Sequence, residues 1–181
     1  MKDTIFALST VPGLSAISVY RISGPNSFCV LKKITKAKVP ENRVASLRRI
    51  IWEGEIIDKC IVIAFKKNDS YSGEKTVEIH CHGSIAIINK LASILTQCGS
   101  ELNIRPAEEG EFTRQAFYNG KMDLIQVEGL SDLLRAETEA QRKISFDSLD
   151  GVMSKKIGVW KKKIVSILAF LEADIDFNDQ D

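Results

Sequence analysis

Seven ionisable residues are spaced so that they could share one task. Arg21 stands near the end of an alternating apolar stretch and Glu78 lies inside another, while Arg105, Glu111, Arg114, Lys121 and Asp123 fall in one junction segment. A concave site for a flat, amide-bearing, carboxylated ligand needs this mixture: an acid to accept ring N–H groups and cations to meet carboxylates. Ordinary ion pairing between a domain and its helices uses the same residue types, and the charge pattern leaves both readings open. Glu78 sharpens the question. It sits in YSGEKTVEIHCHGS, residues 71–84, where Ser72-Gly73 reads as a turn and Thr76 to Cys81 as a short strand. Strand alternation puts Thr76, Glu78 and His80 on one face and Val77, Ile79 and Cys81 on the other. An unpaired carboxylate among such packing residues is expensive, unless that face is wet.

Other chemistries fit less well. His80-Cys81-His82 suggests zinc, but a strand turns Cys81 away from both histidines, and no fourth ligand stands at motif spacing. A Cys–His nucleophile pair fails on the same direction, so no metal and no catalytic residue is assigned. Residues 13–16, GLSA, lack the Gly-Lys-Ser/Thr ending of a phosphate loop. Lys155, Lys156, Lys161, Lys162 and Lys163 could meet RNA phosphates. Ile157, Trp160 and Ile164 interleave with them at helical spacing, so the run reads first as the wet side of an amphipathic helix.

The elements that must position the polar set follow in chain order. Strands are expected at Thr4–Leu8 and Ala16–Ile22, a helix over 26–34, and a hairpin of Val44–Trp52 with Ile56–Phe65 around Glu53-Gly54-Glu55. After the 76–81 strand, Gly83 opens a periodic helix through Leu95, and a last strand falls near Leu102–Ile104. This predicts an α/β (α+β) domain with a mixed sheet over residues 1–118. Beyond it, 119–181, proline is absent and apolar residues recur at helical spacing. Two long helices, or one broken near Ser148–Gly151, are expected there, the first part of an incomplete all-α domain. The ending EADIDFNDQD reads as a cut within a longer protein.

Composition sets the outer bounds. The chain has 181 residues and a formal charge of +1, with 16 Lys and Arg against 12 Asp and Glu in residues 1–120 and nine against 12 in 121–181. No global field singles out a nucleic acid. Cys29, Cys60, Cys81 and Cys98 are too dispersed for a disulfide framework, which favours reduced thiols in a cytoplasmic protein. No secretory signal is seen, and no stretch approaches the ~20 apolar residues that span a bilayer.

Five segments carry a family resemblance: DTIFALST at 3–10, YRISGP at 20–25, SGEKTVEIHCHG at 72–83, EGEFTRQAFYNGKMDL with Glu109 at its head, and EADIDF at 172–177. Together they resemble the N-terminal part of the tRNA-modifying GTPase family MnmE, also called TrmE, along essentially the whole chain. The resemblance implies an N-terminal domain similar to the tetrahydrofolate domains of aminomethyltransferases, then a helical domain into which a GTPase domain is inserted. It implies homodimerisation through the N-terminal domain and binding of 5-formyl-tetrahydrofolate or a related reduced folate. It also implies work with the FAD protein MnmG to place a carboxymethylaminomethyl-type group on the wobble uridine of certain tRNAs. Carried over by position, the folate-binding residues are Arg21, Glu78 and Lys121. GTP, Mg2+ and K+ would belong to the GTPase domain, so these 181 residues are not expected to hydrolyse GTP. Three departures stand out: PGLSA replaces the PGRGG loop, Glu109 replaces the proline of PGEFT, and Gln115 replaces the arginine of RAF. A ligand-free dimerisation and docking module is one alternative. A stand-alone folate-dependent one-carbon transferase, with Glu78 and Asp123 as its proton-handling candidates, is another.

Overall fold

The computed structural model describes residues 3–178, with side chains as far as residue 175; Asp176 and Phe177, which end the EADIDF segment, are thus described in backbone only. The chain divides into two compact units, Met1–Lys121 and Met122–Asp181.

The first unit is built on a six-stranded sheet. Its strands are β1 (Thr4–Leu8), β2 (Ser15–Ser23), β3 (Ser46–Trp52), β4 (Glu55–Phe65), β5 (Thr76–Gly83) and β6 (Ile104–Pro106). Their order is β3-β4-β5-β2-β1-β6. Among the described strand pairs β1–β6 is parallel and the other four are antiparallel, so the sheet is mixed. β3 and β4 meet in a two-residue turn, Trp52 pairing with Glu55. Glu53 and Gly54 both take positive φ, 52° and 87°, the conformation whose twist suits a tight hairpin and which glycine adopts without strain.

Alternation sorts the side chains. Tyr20 and Ile22 of β2, Val77, Ile79 and Cys81 of β5, and Cys60 and Val62 of β4 face one way into a single apolar core. Helix α1 (Ser27–Thr35) brings Val30, Leu31 and Ile34 to it, and α2 (Ile85–Gln97) brings Ile88, Leu91, Ile94 and Leu95. These positions recur at three- and four-residue intervals, as one face of a helix requires. The Ser84 hydroxyl starts α2 by accepting from the Ile87 amide, and Tyr20 is tied to the same helix through its hydroxyl, which donates to the Ile88 carbonyl at 2.9 Å. Arg21, Glu78 and His80 are thereby left on the opposite face.

Two short helices lie outside the expected pattern. One turn, α3 (Gly99–Leu102), precedes β6, which begins at Ile104 instead of Leu102. The stretch read from sequence as a junction forms α4 (Glu111–Tyr118), with Glu111 and Ala116 buried.

Among the described residues the second unit holds three helices in place of the expected two: α5 (Leu124–Arg135), α6 (Glu139–Leu149) and α7 (Val152–Asn178). The additional break is local chemistry. Ala136 leaves helical geometry at ψ 123°, and Thr138 with Gln141 forms a reciprocal capping box that starts α6. Asp123 and Gln126 do the same at the start of α5. Helices α5 and α6 approach closely at Gly129, where a Cβ would fall 2.7 Å from the Leu149 backbone nitrogen. Trp160, Ile164 and Leu171 of α7 remain exposed.

Candidate functional site

The sheet register sets Arg21 of β2 directly across from Glu78 of β5. Arg21 donates through Nε at 3.1 Å and Nη2 at 2.9 Å, both to the same oxygen, Glu78 Oε1. The side chains are 24% and 19% exposed, so the pair is half-withdrawn from water. Two aromatic rings flank the guanidinium, with centroids 5.3 Å away for Tyr71 and 5.5 Å for Phe112. A cation against ring faces gains from the ring quadrupole and keeps its hydrogen-bonding edge free.

This pairing uses only part of each group. Among the described residues, Glu78 Oε2 accepts no hydrogen bond, and no acceptor meets Arg21 Nη1. His80 Nε2 stands 3.6 Å from Oε2, beyond hydrogen-bonding distance. That nitrogen is itself buried without a partner. Strand alternation places His80 on the Glu78 face, as the sequence predicts, but gives it no role beside that carboxylate.

Surrounding contacts hold this end of the sheet. Tyr71 Oη and Thr113 Oγ1 lie 2.7 Å apart, tying the loop before β5 to α4. Ser23 Oγ donates to Gln115 Oε1 at 2.7 Å and lies 2.6 Å from Ser72 Oγ. Asn119 Nδ2 donates to the Ser72 carbonyl at 2.8 Å. Gln115, one of the three departures, is thus a structural acceptor for Ser23. The altered loop at 11–14 leaves Val11 and Leu14 exposed.

The remaining polar residues separate into other tasks. Lys121 closes the first unit, and its ammonium donates to the Asn68 carbonyl at 3.0 Å. No described contact joins it to Arg21 or Glu78, although its stem lies against Gly73, two residues from Tyr71. Arg105 grips Glu111 with two bonds, Nη2 to Oε1 at 2.7 Å and Nη1 to Oε2 at 2.9 Å, and gives Nε to Asp3. The Glu108 amide adds a third donor to Glu111 at 2.8 Å. The Arg105 bonds, despite burial, hold the Glu111 carboxyl far below its ordinary range, at about 2. Arg114 completes this staple by bonding Glu108 at 2.7 Å. Asp123 spends its carboxylate on the cap of α5, accepting from the Gln126 amide at 2.9 Å.

The His-Cys-His segment separates as strand geometry requires. Cys81 lies in the core, where burial pushes its thiol up to about 11. His82 Nδ1 meets buried Asp58 Oδ1 at 2.8 Å, and its amide donates to Oδ2 at 2.9 Å. No cluster of three or more His, Cys, Asp or Glu side chains suited to a metal occurs among the described residues. All four cysteines are free, and no described helix is long and apolar enough to cross a membrane.

Comparison with known proteins gives these features a family. Residues 4–121 match the model described as GTP-binding protein TrmE N-terminus, and residues 124–181 match the MnmE helical domain. The tRNA modification GTPase MnmE of Caulobacter vibrioides is 45% identical over 181 residues, which cover 100% of this chain and 40% of that protein. Its counterpart in Roseobacter denitrificans is 43% identical over 180 residues, 99% of this chain and 41% of the relative. The mitochondrial tRNA modification GTPase mss1 of Schizosaccharomyces pombe is 43% identical over 179 residues, 98% of this chain and 36% of the relative. The chain therefore spans about two fifths of the relatives it matches, and it belongs to the TrmE/MnmE family, of which it holds the N-terminal and helical segments.

Proposed function

We propose that the first unit binds a reduced folate, 5-formyl-tetrahydrofolate or a close relative, at Arg21 and Glu78. One observation carries the reading: a half-buried ion pair, walled by Tyr71 and Phe112, keeps one carboxylate oxygen and one guanidinium nitrogen unengaged. The amino-pyrimidine edge of a folate is a planar set of N–H donors, and Glu78 Oε2 is the acceptor it would use. Arg21 Nη1 would meet an acceptor on the ligand. Lys121 would reach an anionic portion by giving up the Asn68 carbonyl, a swap that breaks one exposed hydrogen bond. These residues bind and orient; the transferable carbon is the cofactor's chemistry.

For the whole protein, the proposal extends to homodimerisation through the first unit, a cytoplasmic location, and GTP hydrolysis with Mg2+ and K+ in a domain outside these 181 residues. It further includes joint action with MnmG on the wobble uridine of tRNA. The relatives, which are tRNA modification GTPases, support the class.

A second reading has its own support. Arg21 and Glu78 meet each other directly at 2.9 Å, as an interfacial or purely structural pair would. The transferase alternative loses one of its two proton-handling candidates, since Asp123 caps a helix. Calorimetric titration of the chain with 5-formyl-tetrahydrofolate separates ligand module from scaffold. Glu78→Gln places an N–H2 where an acceptor oxygen stood, and a hydrogen bond to a charged group is worth ~1.5–3 kcal/mol, so affinity should fall about 10- to 150-fold. Unchanged affinity would remove Glu78 from the site. No binding by the wild-type chain would favour the scaffold.

A further inference from the structure

Away from the Arg21–Glu78 pair, the first unit carries a second place where charge is left unpaired. A cleft of about 540 Å³ opens beside α1, lined by the apolar Phe28, Val39 and Pro40 and by Lys32, Lys38 and Lys66. Lys75 leans over the same Phe28 ring at 5.8 Å. Lys33 is already paired with Glu101, and Asp69, which keeps its negative charge, accepts from Asn42 Nδ2 at 2.9 Å behind the lining. Among the described residues, the side chains of Lys32, Lys38 and Lys66 have neither an ion pair nor a hydrogen bond, and no carboxylate lines the cleft. Glu41, next to Pro40 in sequence and exposed, is the one nearby acid along this loop.

We propose that this cleft seats a stretch of RNA phosphodiester backbone, with Lys32, Lys38 and Lys66 on successive phosphates. The proposal rests on the reading that this family serves tRNA, and adds to it a surface on the first unit, separate from the folate site. Part of the charge has a local explanation, because Lys32 stands in the last turn of α1 and complements its carbonyl end. Lys38 and Lys66 do not; they come from the loop after α1 and from the residue following β4. The occupant follows from the kind of site. A small free anion is held by converging donors, backbone N–H groups or an arginine fork. Here the cations are lysines, point charges spread along an apolar cleft with no arginine among its lining residues. A strand carrying one charge per nucleotide suits that spread. With Lys75 over the Phe28 ring, base stacking is not assigned there, so the contact is to backbone and independent of sequence.

The test is fluorescence anisotropy of the 181-residue chain with a labelled RNA stem–loop across a salt series. Three phosphate contacts give a slope of about −2 to −3 in log affinity against log salt, so raising salt from about 50 to about 200 mM should weaken their share of binding about 20- to 40-fold. K32Q/K38Q/K66Q should flatten the slope by about 2 or more. K155Q/K161Q/K162Q removes the same charge from α7 and serves as the control. Absence of RNA binding by the wild type, an unaltered slope in the cleft variant, or equal losses in both variants would overturn the proposal. Inorganic phosphate at millimolar level should not displace the RNA; displacement would mark a small-anion site and overturn it too. 5-Formyl-tetrahydrofolate titrated into the cleft variant should bind as it does to wild type. A chain that binds RNA through the cleft but no folate would refute the folate reading alone.

Discussion

Glu111→Gln tests whether the Arg105 staple is structural, and its size can be worked from the geometry. The wild-type carboxylate accepts two bonds from Arg105 at 2.7 and 2.9 Å and one from the Glu108 amide at 2.8 Å, with its side chain 8% exposed. Its pKa falls from an ordinary 4.5 to about 2. That difference corresponds to about 3 kcal/mol of folded-state preference for the charged form. Solvent around Arg105, which is 41% exposed, screens part of it and leaves about 2–3 kcal/mol. The sign follows from the depression. The unfolded chain binds the proton more readily, so the contribution is fully present above pH 4.5 and disappears as pH falls through about 2. The glutamine variant, which cannot ionise, lacks this dependence. Urea unfolding should be followed by Trp52 fluorescence in a Trp160→Phe background, because the protein has two tryptophans and Trp52 alone then reports on the first unit. Wild type should exceed Glu111→Gln by about 2–3 kcal/mol at pH 7, and the two curves should converge toward pH 2. Parallel curves across that window would refute the assignment.

Three further outcomes are expected. Arg21→Lys keeps the charge but loses the two-donor edge that meets Glu78 Oε1, so folate affinity should fall at least about tenfold in calorimetry while the chain stays folded. Lys121→Met should weaken folate binding yet leave the circular-dichroism melt near wild type, since its visible contact is one exposed bond to Asn68; an unchanged affinity removes Lys121 from the site. Gly129→Ala adds a Cβ 2.7 Å from the Leu149 nitrogen, a backbone atom that cannot swing aside, so α5 and α6 must separate. Loss of about 1–3 kcal/mol should appear as an earlier helical melt, and an unshifted melt would mean that the helices do not pack at this point.

Much of the sheet was legible because its strands obey simple local rules. The apolar alternation of 4–8, 16–22 and 76–81 matches β1, β2 and β5 to within a residue or two, and the Glu53-Gly54 turn joins β3 to β4. The failures have physical causes. Helix α4 has eight residues and is surrounded by glycines, too short for periodicity to stand out. The Thr138–Gln141 capping box is a local signal that apolar periodicity does not register, so periodicity predicts two helices where three form among the described residues. Among the polar residues, type was readable but pairing was not. Arg105, Glu111 and Arg114 stand near Lys121 in sequence, yet they are held to β6 and to one another. Only register, which no local pattern specifies, sets Arg21 opposite Glu78.

That pairing bears on both readings of the site. Two charges half-withdrawn from water cost desolvation, and a pair kept only for stability should recover it by filling its remaining lone pairs and protons. Here the protein fills them only in part. Both Arg21 bonds converge on Oε1, no described donor hydrogen-bonds Oε2, and His80 Nε2 lies 3.6 Å from it. The Arg21–Glu78 pair is a fifth to a quarter exposed, whereas His80 Nε2 is buried without a hydrogen bond, which is uncommon and calls for an explanation. A hydrophobic pair at these positions would pack against Ala7 and Ile63, their neighbours across the sheet, without any such deficit. The deficit has a direction, an acceptor and a buried imidazole side by side, and a ligand N–H bound at Oε2 would relieve the first of these. His80 then separates the alternatives without touching either principal residue. On the folate reading, His80→Leu leaves the bond to Oε2 available and removes only an unpaired nitrogen, so ligand affinity is preserved and stability is unchanged or gained. If Glu78 serves structure alone, with His80 moving in to donate to Oε2, the same substitution removes a partner and lowers the melt. A lower melt for His80→Leu, combined with no folate binding by wild type, would therefore assign the pair to the scaffold.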